Sequence, residues 1–260
     1  MIAARLAGLG WTVGGIGGVL AMLEALGAMG ALPQSVPAPS AVAVQFVQDR
    51  AALAHHLAPT LRAAVIGWLA AVALAIAMAG VALLVRGAEG VLYNFAVGVN
   101  AIPLIAAAPI LVVWFGTGPE TRVIVAALAS FFPVLVGAIQ GLRAVDRSHR
   151  ELFHVLAAGR IDRLRLLELP GALPYLFAGL KISAAGAVLG AIVSEWVGAD
   201  RGLGMMMAYA LFSFNVPQVW MCMAVSVVLA LGAYGLMGGL EARVVRWSPP
   251  DGTGPGDSAP

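Results

Sequence analysis

Apolar stretches of about 20 residues recur along this chain, and each is long enough to cross a lipid bilayer as a helix. About six can be placed, at residues 9–32, 59–85, 91–115, 121–142, 175–197 and 219–240. Of the 260 residues, 61% are hydrophobic and only 11% are charged, whereas soluble domains carry about 25% charged residues. The apolar runs are continuous rather than alternating, which argues against a membrane β-barrel. The sequence therefore predicts an all-α, polytopic transmembrane helical bundle with about six spans.

The N-terminal stretch is predicted to remain in the protein as its first span. It is longer than the apolar core of a cleaved signal peptide, which has about 7–15 residues. Its glycines Gly10, Gly14 and Gly18 recur every four residues, a spacing that permits close approach of another helix. Residues 40–57 are predicted to form an amphipathic segment along the membrane surface. The water-exposed side of that segment is expected to carry Asp49, Arg50, His55 and His56.

Three other segments depart from a simple span. Pro103 and Pro109 fall in the third stretch, which predicts a kinked helix whose freed carbonyl groups need partners in the bundle. Residues 198–216 are rich in Gly, Met and aromatic residues and too short to cross twice. They form either an external loop or a short helix tucked part-way into the membrane. Residues 248–260 are rich in Pro, Gly, Asp and Ser, which predicts disorder.

A charged loop, residues 143–174, separates the fourth and fifth spans. It cannot lie in hydrocarbon, because charged side chains are costly there. Two short helices are predicted within it, at about 147–157 and 161–169. Gly159 is expected to supply the backbone freedom for the turn between them, and Pro170 to end the second helix. The charges are Arg143, Arg147, Arg150, Arg160, Arg163 and Arg165, with Asp146, Glu151, Asp162 and Glu168.

The distribution of Lys and Arg predicts the orientation in the membrane, because cytoplasmic segments carry an excess of both. With the N-terminus inside, the outer side holds only Arg50, Arg62, Arg122 and Arg201. The inner side then holds the six arginines of the charged loop together with Arg5, Arg86, Lys181, Arg243 and Arg246. We therefore expect both termini and the charged loop to be cytoplasmic.

The charged loop resembles the EAA motif of ABC importer permeases, which reads Glu-Ala-Ala, three residues, Gly, nine residues, Ile, one residue, Leu-Pro. The matching positions are Glu151, Leu167, Leu169 and Pro170. The alanine positions hold Leu152 and Phe153, and the glycine position holds Ala157, with Gly159 two residues later. Other stretches across residues 39–247 resemble the branch of that family for nitrate, sulfonate, taurine and pyrimidine-precursor uptake. They include Ile102-Pro103, Trp114-Phe115-Gly116, Phe131-Phe132-Pro133, Gly141-Leu142-Arg143, Gly179-Leu180-Lys181, Ser194-Glu195 and Gly202-Leu203-Gly204.

This resemblance implies a multi-pass permease of the bacterial cytoplasmic (inner) membrane for a small organic solute or anion. Such a permease pairs with a second copy, as a homodimer here, and an external solute-binding protein delivers the substrate. Its loop docks on a cytoplasmic ATP-binding-cassette ATPase, which holds ATP and Mg. The expected coupling residues are Arg147, Arg150, Glu151, Ala157, Gly159, Arg160, Leu167, Leu169 and Pro170. The expected parts are a first span with an external amphipathic segment (1–58), a permease core (59–247) and a disordered cytoplasmic tail (248–260).

The residues themselves support a transport subunit rather than an enzyme. Lys181 is the one lysine, and it does not belong to the Gly-Lys-Ser/Thr sequence that a P-loop needs to hold phosphates. An ATPase would therefore be a separate polypeptide. No catalytic motif and no cofactor or metal site is expected in this chain, and nothing in it points to nucleic acid. The methionines of residues 205–207 lack the His or Cys partners of a metal site.

Several alternatives remain open from the sequence. Candidate residues of a translocation path are Asn100, Gln140, Glu195 and Asn215, although the amides could equally bond another helix. Glu195 either lines that path or pins the 198–216 segment, and Glu24 is expected to pair within the bundle or face water. The rival function is an ion-gradient-driven secondary transporter that uses both glutamates. A lipid-headgroup-binding loop and a membrane scaffold are further possibilities.

Overall fold

The computed structural model describes residues 2–85, 87–144 and 147–247, with side chains described from residue 14 onward except at 147 and 150. All regular elements in this part are helical, so the prediction of an all-α polytopic bundle is confirmed. The helices are α1 (Ile2–Ala28), α2 (Pro39–Gln48), α3 (Arg50–Leu84), α4 (Ala88–Asn100), α5 (Leu104–Phe115), α6 (Pro119–Arg143), α7 (Arg147–Val155), α8 (Arg160–Arg163), α9 (Leu169–Glu195), α10 (Leu203–Phe212) and α11 (Val216–Val244). The predicted disordered tail, 248–260, lies outside the described residues.

Membrane-length helices account for most of the predicted spans. Within the described residues, four are long and apolar enough to cross a membrane: α3, α6, the continuous helix Arg160–Glu195, and α11. The pair α4 and α5 is long and apolar enough only when taken together, as one broken span or as a re-entrant loop. The first predicted span corresponds to α1, which has 27 residues and whose described side chains begin at Gly14.

The third predicted span is sharply broken rather than kinked. Helices α4 and α5 meet at 88° across residues 101–103. Pro103 precedes α5, and a proline disfavours the helical conformation of the residue before it, which is Ile102. Pro109, by contrast, lies inside α5 without ending it. The proline that stands at the start of the second segment therefore sets the break.

The second span begins earlier than predicted. The expected surface segment 40–57 is divided at Asp49, and its second half is already part of α3. Pro59 lies inside this helix. A proline removes the hydrogen bond to the carbonyl four residues earlier, and its ring crowds that carbonyl. The carbonyl belongs to His55, which is exposed, and the helix continues through Pro59.

Small residues bring α6 and α9 into the closest contact in the bundle. A Cβ on Gly137 would lie 2.7 Å from the Tyr175 carbonyl oxygen, and one on Gly141 only 2.6 Å from that of Ala172. A Cβ on Gly179 would overlap the carbonyl oxygen of Pro133. These glycines allow backbone-to-backbone packing of the two helices, as small residues do in membranes.

Two of the evenly spaced glycines of α1, Gly14 and Gly18, make no such contact within the described part of the chain. A Cβ added to Gly14 or Gly18 would meet nothing within 4 Å. The close approach expected from their spacing is therefore absent from the described bundle, and the same property appears instead between α6 and α9.

Polar contacts mark two opposite ends of the bundle. At the end that carries the charged loop, Arg143 pairs with Glu89, and Arg160 donates to the Leu83 carbonyl at 3.1 Å. We call this the hairpin end. The opposite end, the α10 end, holds the start of α3 and α6, the end of α9, and α10. Between these two ends of the bundle, Lys181 joins α9 to α11 through a 2.7 Å ion pair with Glu241.

Candidate functional site

The turn of the charged loop is formed by Ala157. Helix α7 ends at Val155, and Ala157 then has a left-handed backbone with φ +49°. Its N–H donates to the His154 carbonyl at 3.0 Å, and the Ala158 N–H donates to that of Phe153 at 3.0 Å. These two bonds form a Schellman motif, which glycine normally occupies at the left-handed position.

The expectation that Gly159 supplies the turn is therefore wrong. Gly159 has φ −64° and ψ 162°, an extended conformation that any residue adopts. A Cβ there would have only an Asp162 carboxylate oxygen nearby, at 3.5 Å. The left-handed residue instead stands at the glycine position of the motif that the loop resembles, although alanine occupies it.

The expectation that Pro170 ends a loop helix is also wrong. The chain is helical without interruption from Arg160 to Glu195. A π-helical turn, Leu164–Glu168, directly precedes Pro170, and the Leu169 N–H bonds the Leu164 carbonyl five residues back. The wider turn changes the hydrogen-bond register just where proline lacks its N–H, so the helix continues into α9.

Exposed apolar side chains accompany the charges on this loop. Leu152 is 52% exposed and Val155 is 81% exposed, although both lie beside polar residues of α7. Of the expected coupling residues, Glu151, Ala157 and Leu169 are exposed, while Leu167 and Pro170 are partly buried. Arg160 rests on the end of α3, as described above, and the side chains of Arg147 and Arg150 lie outside the described set.

Replacing Ala157 by glycine should stabilise the turn. A left-handed conformation costs a residue with a Cβ about 1 kcal/mol or more, which glycine does not incur. Because 1 kcal/mol is about a factor of 5 in an equilibrium, amide exchange at residues 157 and 158 should slow about fivefold in Ala157→Gly. Gly159→Val is the matched comparison, and it should leave the turn in place. Faster exchange in Ala157→Gly would contradict the assignment.

A buried carboxylate cluster lies at the α10 end. Glu195 is 1% exposed and Thr60 is fully buried. The Thr60 hydroxyl donates to Glu195 at 2.8 Å and accepts the Leu203 N–H at 2.9 Å. The Gly204 N–H donates to the other Glu195 oxygen at 2.9 Å. Glu195 and Thr60 together bind the first N–H groups of α10, which otherwise have no partner in a helix.

Glycines make room for this carboxylate. Gly202 has φ +135°, and a Cβ there would overlap the Glu195 carboxyl group. A Cβ on Gly204 would lie 2.8 Å from the Glu195 Cβ. The His56 ring also holds the turn, because its Nδ1 accepts the Gly202 N–H at 3.1 Å. The cluster consists of His56, Thr60, Glu195, Gly202, Leu203 and Gly204.

The sequence did not identify His56 and Thr60 as members of the cluster. His56 was expected on a wet surface, yet it is partly buried against the Gly202 turn. Both residues lie on α3, four positions apart, and therefore on one helix face. Two polar residues at that spacing, at the start of an apolar helix, were the available signal.

The four candidate path residues do not converge on one site. Glu195 lies in the cluster, and Asn215 caps α11 by accepting the Gln218 N–H at 3.3 Å. Gln140 is exposed three residues before α6 ends at the hairpin end. Asn100 lines a small cavity at the break between α4 and α5. Their separation leaves the proposed path without a common polar centre among the described side chains.

Glu24 pairs within the bundle. Its carboxylate accepts the Ser40 N–H at 2.9 Å and the Ser40 hydroxyl proton at 2.6 Å. Ser40 lies in the first turn of α2, so Glu24 satisfies one backbone N–H group at the start of that helix. The segment 198–216 contains α10, whose residues Leu203, Met206 and Ala210 are buried. It is thus a tucked short helix rather than an open loop.

The comparisons with known proteins agree on one family. Residues 71–246 match the model of the binding-protein-dependent transport system inner membrane component. The chain is 38% identical over 148 residues to the riboflavin transport system permease protein RibX of Chloroflexus aurantiacus, covering 57% of this chain and 55% of RibX. It is 31% identical over 216 residues to the formylaminopyrimidine transport permease protein ThiX of Halalkalibacterium halodurans, covering 83% of this chain and 86% of ThiX. It is 32% identical over 200 residues to the taurine transport system permease protein TauC of Escherichia coli, covering 76% and 71%. The aligned part therefore spans about half the length of RibX and most of ThiX.

Proposed function

Because this chain belongs to the family of inner membrane components of binding-protein-dependent transport systems, we propose that its charged loop docks on a separate ATP-binding-cassette ATPase. The chain is a permease subunit of an ABC importer and not an ion-gradient-driven secondary transporter. The two glutamates required by that rival function both make hydrogen bonds that hold helix starts.

The surface of α7 carries the docking proposal. Leu152 and Val155 expose apolar side chains on the charged loop, and a monomer in water would gain no stability by exposing them. Apolar anchors surrounded by charge are typical of protein interfaces, in which a few central residues provide most of the affinity. A loop that only bound lipid headgroups would need basic residues alone, whereas Glu151 lies on the same helix.

The remaining partners follow from the same family. We infer a homodimer of permease chains, an external solute-binding protein, and two ATPase subunits that hold ATP and Mg. The hairpin end then faces the cytoplasm together with both termini, and the α10 end faces outward. The excess of Arg at the hairpin end supports this orientation.

The transported solute is a small organic molecule or anion. The similar proteins are named for riboflavin, formylaminopyrimidine and taurine transport. These names span nitrogen heterocycles and a sulfonate, so they support a small polar solute of the sulfonate, nitrate, taurine or pyrimidine-precursor type. Asn100, Gln140, Glu195 and Asn215 remain candidates for its path, and the coupling residues named above remain candidates for the ATPase contact.

Reversing the charge of Glu151 should weaken the ATPase contact. In Glu151→Lys, copurification of a co-expressed partner ATPase should fall at least about tenfold, because the substitution reverses a charge on the proposed docking surface. Val155→Asp should do the same by placing a charge in the apolar part of the interface. Both are read by tandem affinity purification from membranes.

Glu120→Lys is the matched control for that experiment. It makes the same charge reversal on an exposed side chain at the opposite end of the bundle. ATPase recovery should equal that of the wild type. Equal recovery with Glu151→Lys and Val155→Asp would show that the ATPase binds elsewhere.

A further inference from the structure

An open cavity at the α10 end is lined by three arginines from three separate elements. It has a volume of about 690 Å³ and lies between the first half of α3, the start of α6 and the segment before α10. Its charged lining residues are Arg62, Arg122, Arg201, Glu120 and Asp200. We call it the arginine pocket. The positive charges exceed the negative ones by one, so the pocket favours an anion.

Asp200 is already engaged by two of the arginines. Arg122 donates to its carboxylate at 3.3 Å, and the Arg201 Nε lies 3.9 Å from it. Arg122 also donates to the Arg201 carbonyl at 3.0 Å and is only 8% exposed. Arg122 therefore fixes the position of residues 200 and 201 and provides a buried positive charge behind the pocket.

Arg62 supplies the positive charge that lacks a counterpart. It is exposed on α3 and makes no ion pair with any described residue. The Glu120 carboxylate is turned toward Gly118, where a Cβ would meet it. The side chain of Arg62 thus remains available for an anion. Arg201 can bind the anion beside it, because its Nε lies 3.9 Å from Asp200, which is too far for a hydrogen bond.

We propose that the arginine pocket binds the anionic group of a small organic monoanion, a carboxylate or a sulfonate, through Arg62 and Arg201. Arginine presents paired N–H donors that match both groups. The apolar body of the ligand lies against lining residues such as Pro59, Ala63, Ile66 and Val123. The identification of this anion as the transported solute rests on the proposed transport function, whereas binding itself does not.

The size of the pocket favours a small molecule over an acidic side chain of a docked protein. Ligand sites usually have volumes of about 300–1,000 Å³ and combine apolar walls with a few placed polar groups. The arginine pocket has both properties, with about 690 Å³ and mostly apolar walls. A single carboxylate from a protein partner would use the arginines but leave most of this volume empty.

Direct binding to the full chain in lipid nanodiscs, without any binding protein, tests the proposal. The probes are benzoate and benzenesulfonate, with benzamide and benzenesulfonamide as neutral partners of the same shape, measured by saturation-transfer NMR. The anions should bind at least about tenfold more tightly than their neutral partners. Arg62→Gln and Arg201→Gln should each weaken the anions about tenfold, since one charge-assisted hydrogen bond is lost. Arg201→Gln keeps the backbone carbonyl that Arg122 binds.

Arg50→Gln is the matched control, because Arg50 is an exposed arginine on the same helix that does not line the pocket. It should bind the anions as the wild type does. Equal binding of anions and neutral partners, unchanged binding in both glutamine variants, or no anion binding up to about 10 mM would each overturn the proposal. Loss of binding-protein docking in Arg62→Gln without any anion binding would assign the arginines to protein contact instead. ATPase copurification, measured separately, reports on the proposed function and is not affected by these outcomes.

Discussion

Replacing Gly179 by valine is expected to prevent stable assembly of the helical bundle. The position faces α6, where even a Cβ would overlap the Pro133 carbonyl oxygen and lie 3.3 Å from the Val134 Cα. Both neighbours are backbone atoms, so no side chain can rotate away. Overpacking of this kind costs about 3 kcal/mol or more when the backbone cannot yield. Size-exclusion chromatography in detergent after a temperature series should show loss of the monodisperse protein at a much lower temperature than for the wild type.

Gly235→Val provides the comparison for Gly179→Val. Gly235 lies on α11, and a Cβ there would meet nothing within 4 Å in the described part of the chain. The same change in residue should therefore leave the unfolding temperature near the wild-type value. Equal unfolding temperatures for the two variants would mean that α6 and α9 do not pack through Gly179.

Replacing Glu195 by alanine is expected to lower the free energy of unfolding by about 2–4 kcal/mol, because buried donors left without an acceptor cost about 1–3 kcal/mol each. The Gly204 N–H loses its partner. The Thr60 hydroxyl loses the Glu195 oxygen at 2.8 Å and keeps only the His56 carbonyl at 3.2 Å. Glu195→Gln keeps one acceptor oxygen and should fall between the wild type and Glu195→Ala. Thermal unfolding and amide exchange at the start of α10 both measure the effect. Amide exchange there should be faster in Glu195→Ala than in the wild type or in Glu195→Gln.

A structural role and a path role for Glu195 separate in this experiment. Glu120→Ala removes an exposed carboxylate from the same end of the bundle, and it should change stability by less than about 0.5 kcal/mol. If Glu195→Gln abolishes uptake while its unfolding temperature and exchange match the wild type, then Glu195 lines the path rather than holding α10.

The sequence predicted the features that local composition controls. Apolar runs of membrane length give the spans directly, because the bilayer demands about 20 apolar residues from a helix. The position of the charged loop between two spans follows as well, because its charged side chains cannot lie in hydrocarbon. The sequence also correctly indicated the ABC permease family, since the family match covers residues 71–246.

Backbone geometry that depends on hydrogen-bond register was not predictable in this way. Glycine is the residue usually found in a left-handed turn, yet Ala157 adopts it and Gly159 does not. Proline normally ends a helix, yet a π-helical turn carries the helix through Pro170. In both places, local backbone hydrogen bonds accompany a conformation that the single residue does not prefer, the Schellman motif at Ala157 and the π-helical turn before Pro170.

The cluster at the α10 end was missed because its members are distant in sequence. Thr60 and Glu195 are 135 positions apart, and the Gly202 turn joins them only after α3 and α9 have packed. The sequence indicated Glu195 as either a path residue or a group that pins the 198–216 segment, but its hydrogen-bond partners could be found only from the tertiary arrangement. The arginine pocket was missed for the same reason, because Arg62, Arg122 and Arg201 come from three different elements.

The unbroken helix from Arg160 to Glu195 has a mechanical consequence. Its 36 residues measure about 54 Å at a rise of 1.5 Å each, and Gly179, one of several positions where it touches the α6 backbone, lies close to its midpoint. The helix can therefore tilt as one rigid rod, together with the α6 segment packed against it. A tilt of about 5° moves each tip by about 2 Å, in opposite directions. A displacement at one end of the helix is thus transmitted to the other side of the membrane while the backbone hydrogen bonds of the helix stay intact.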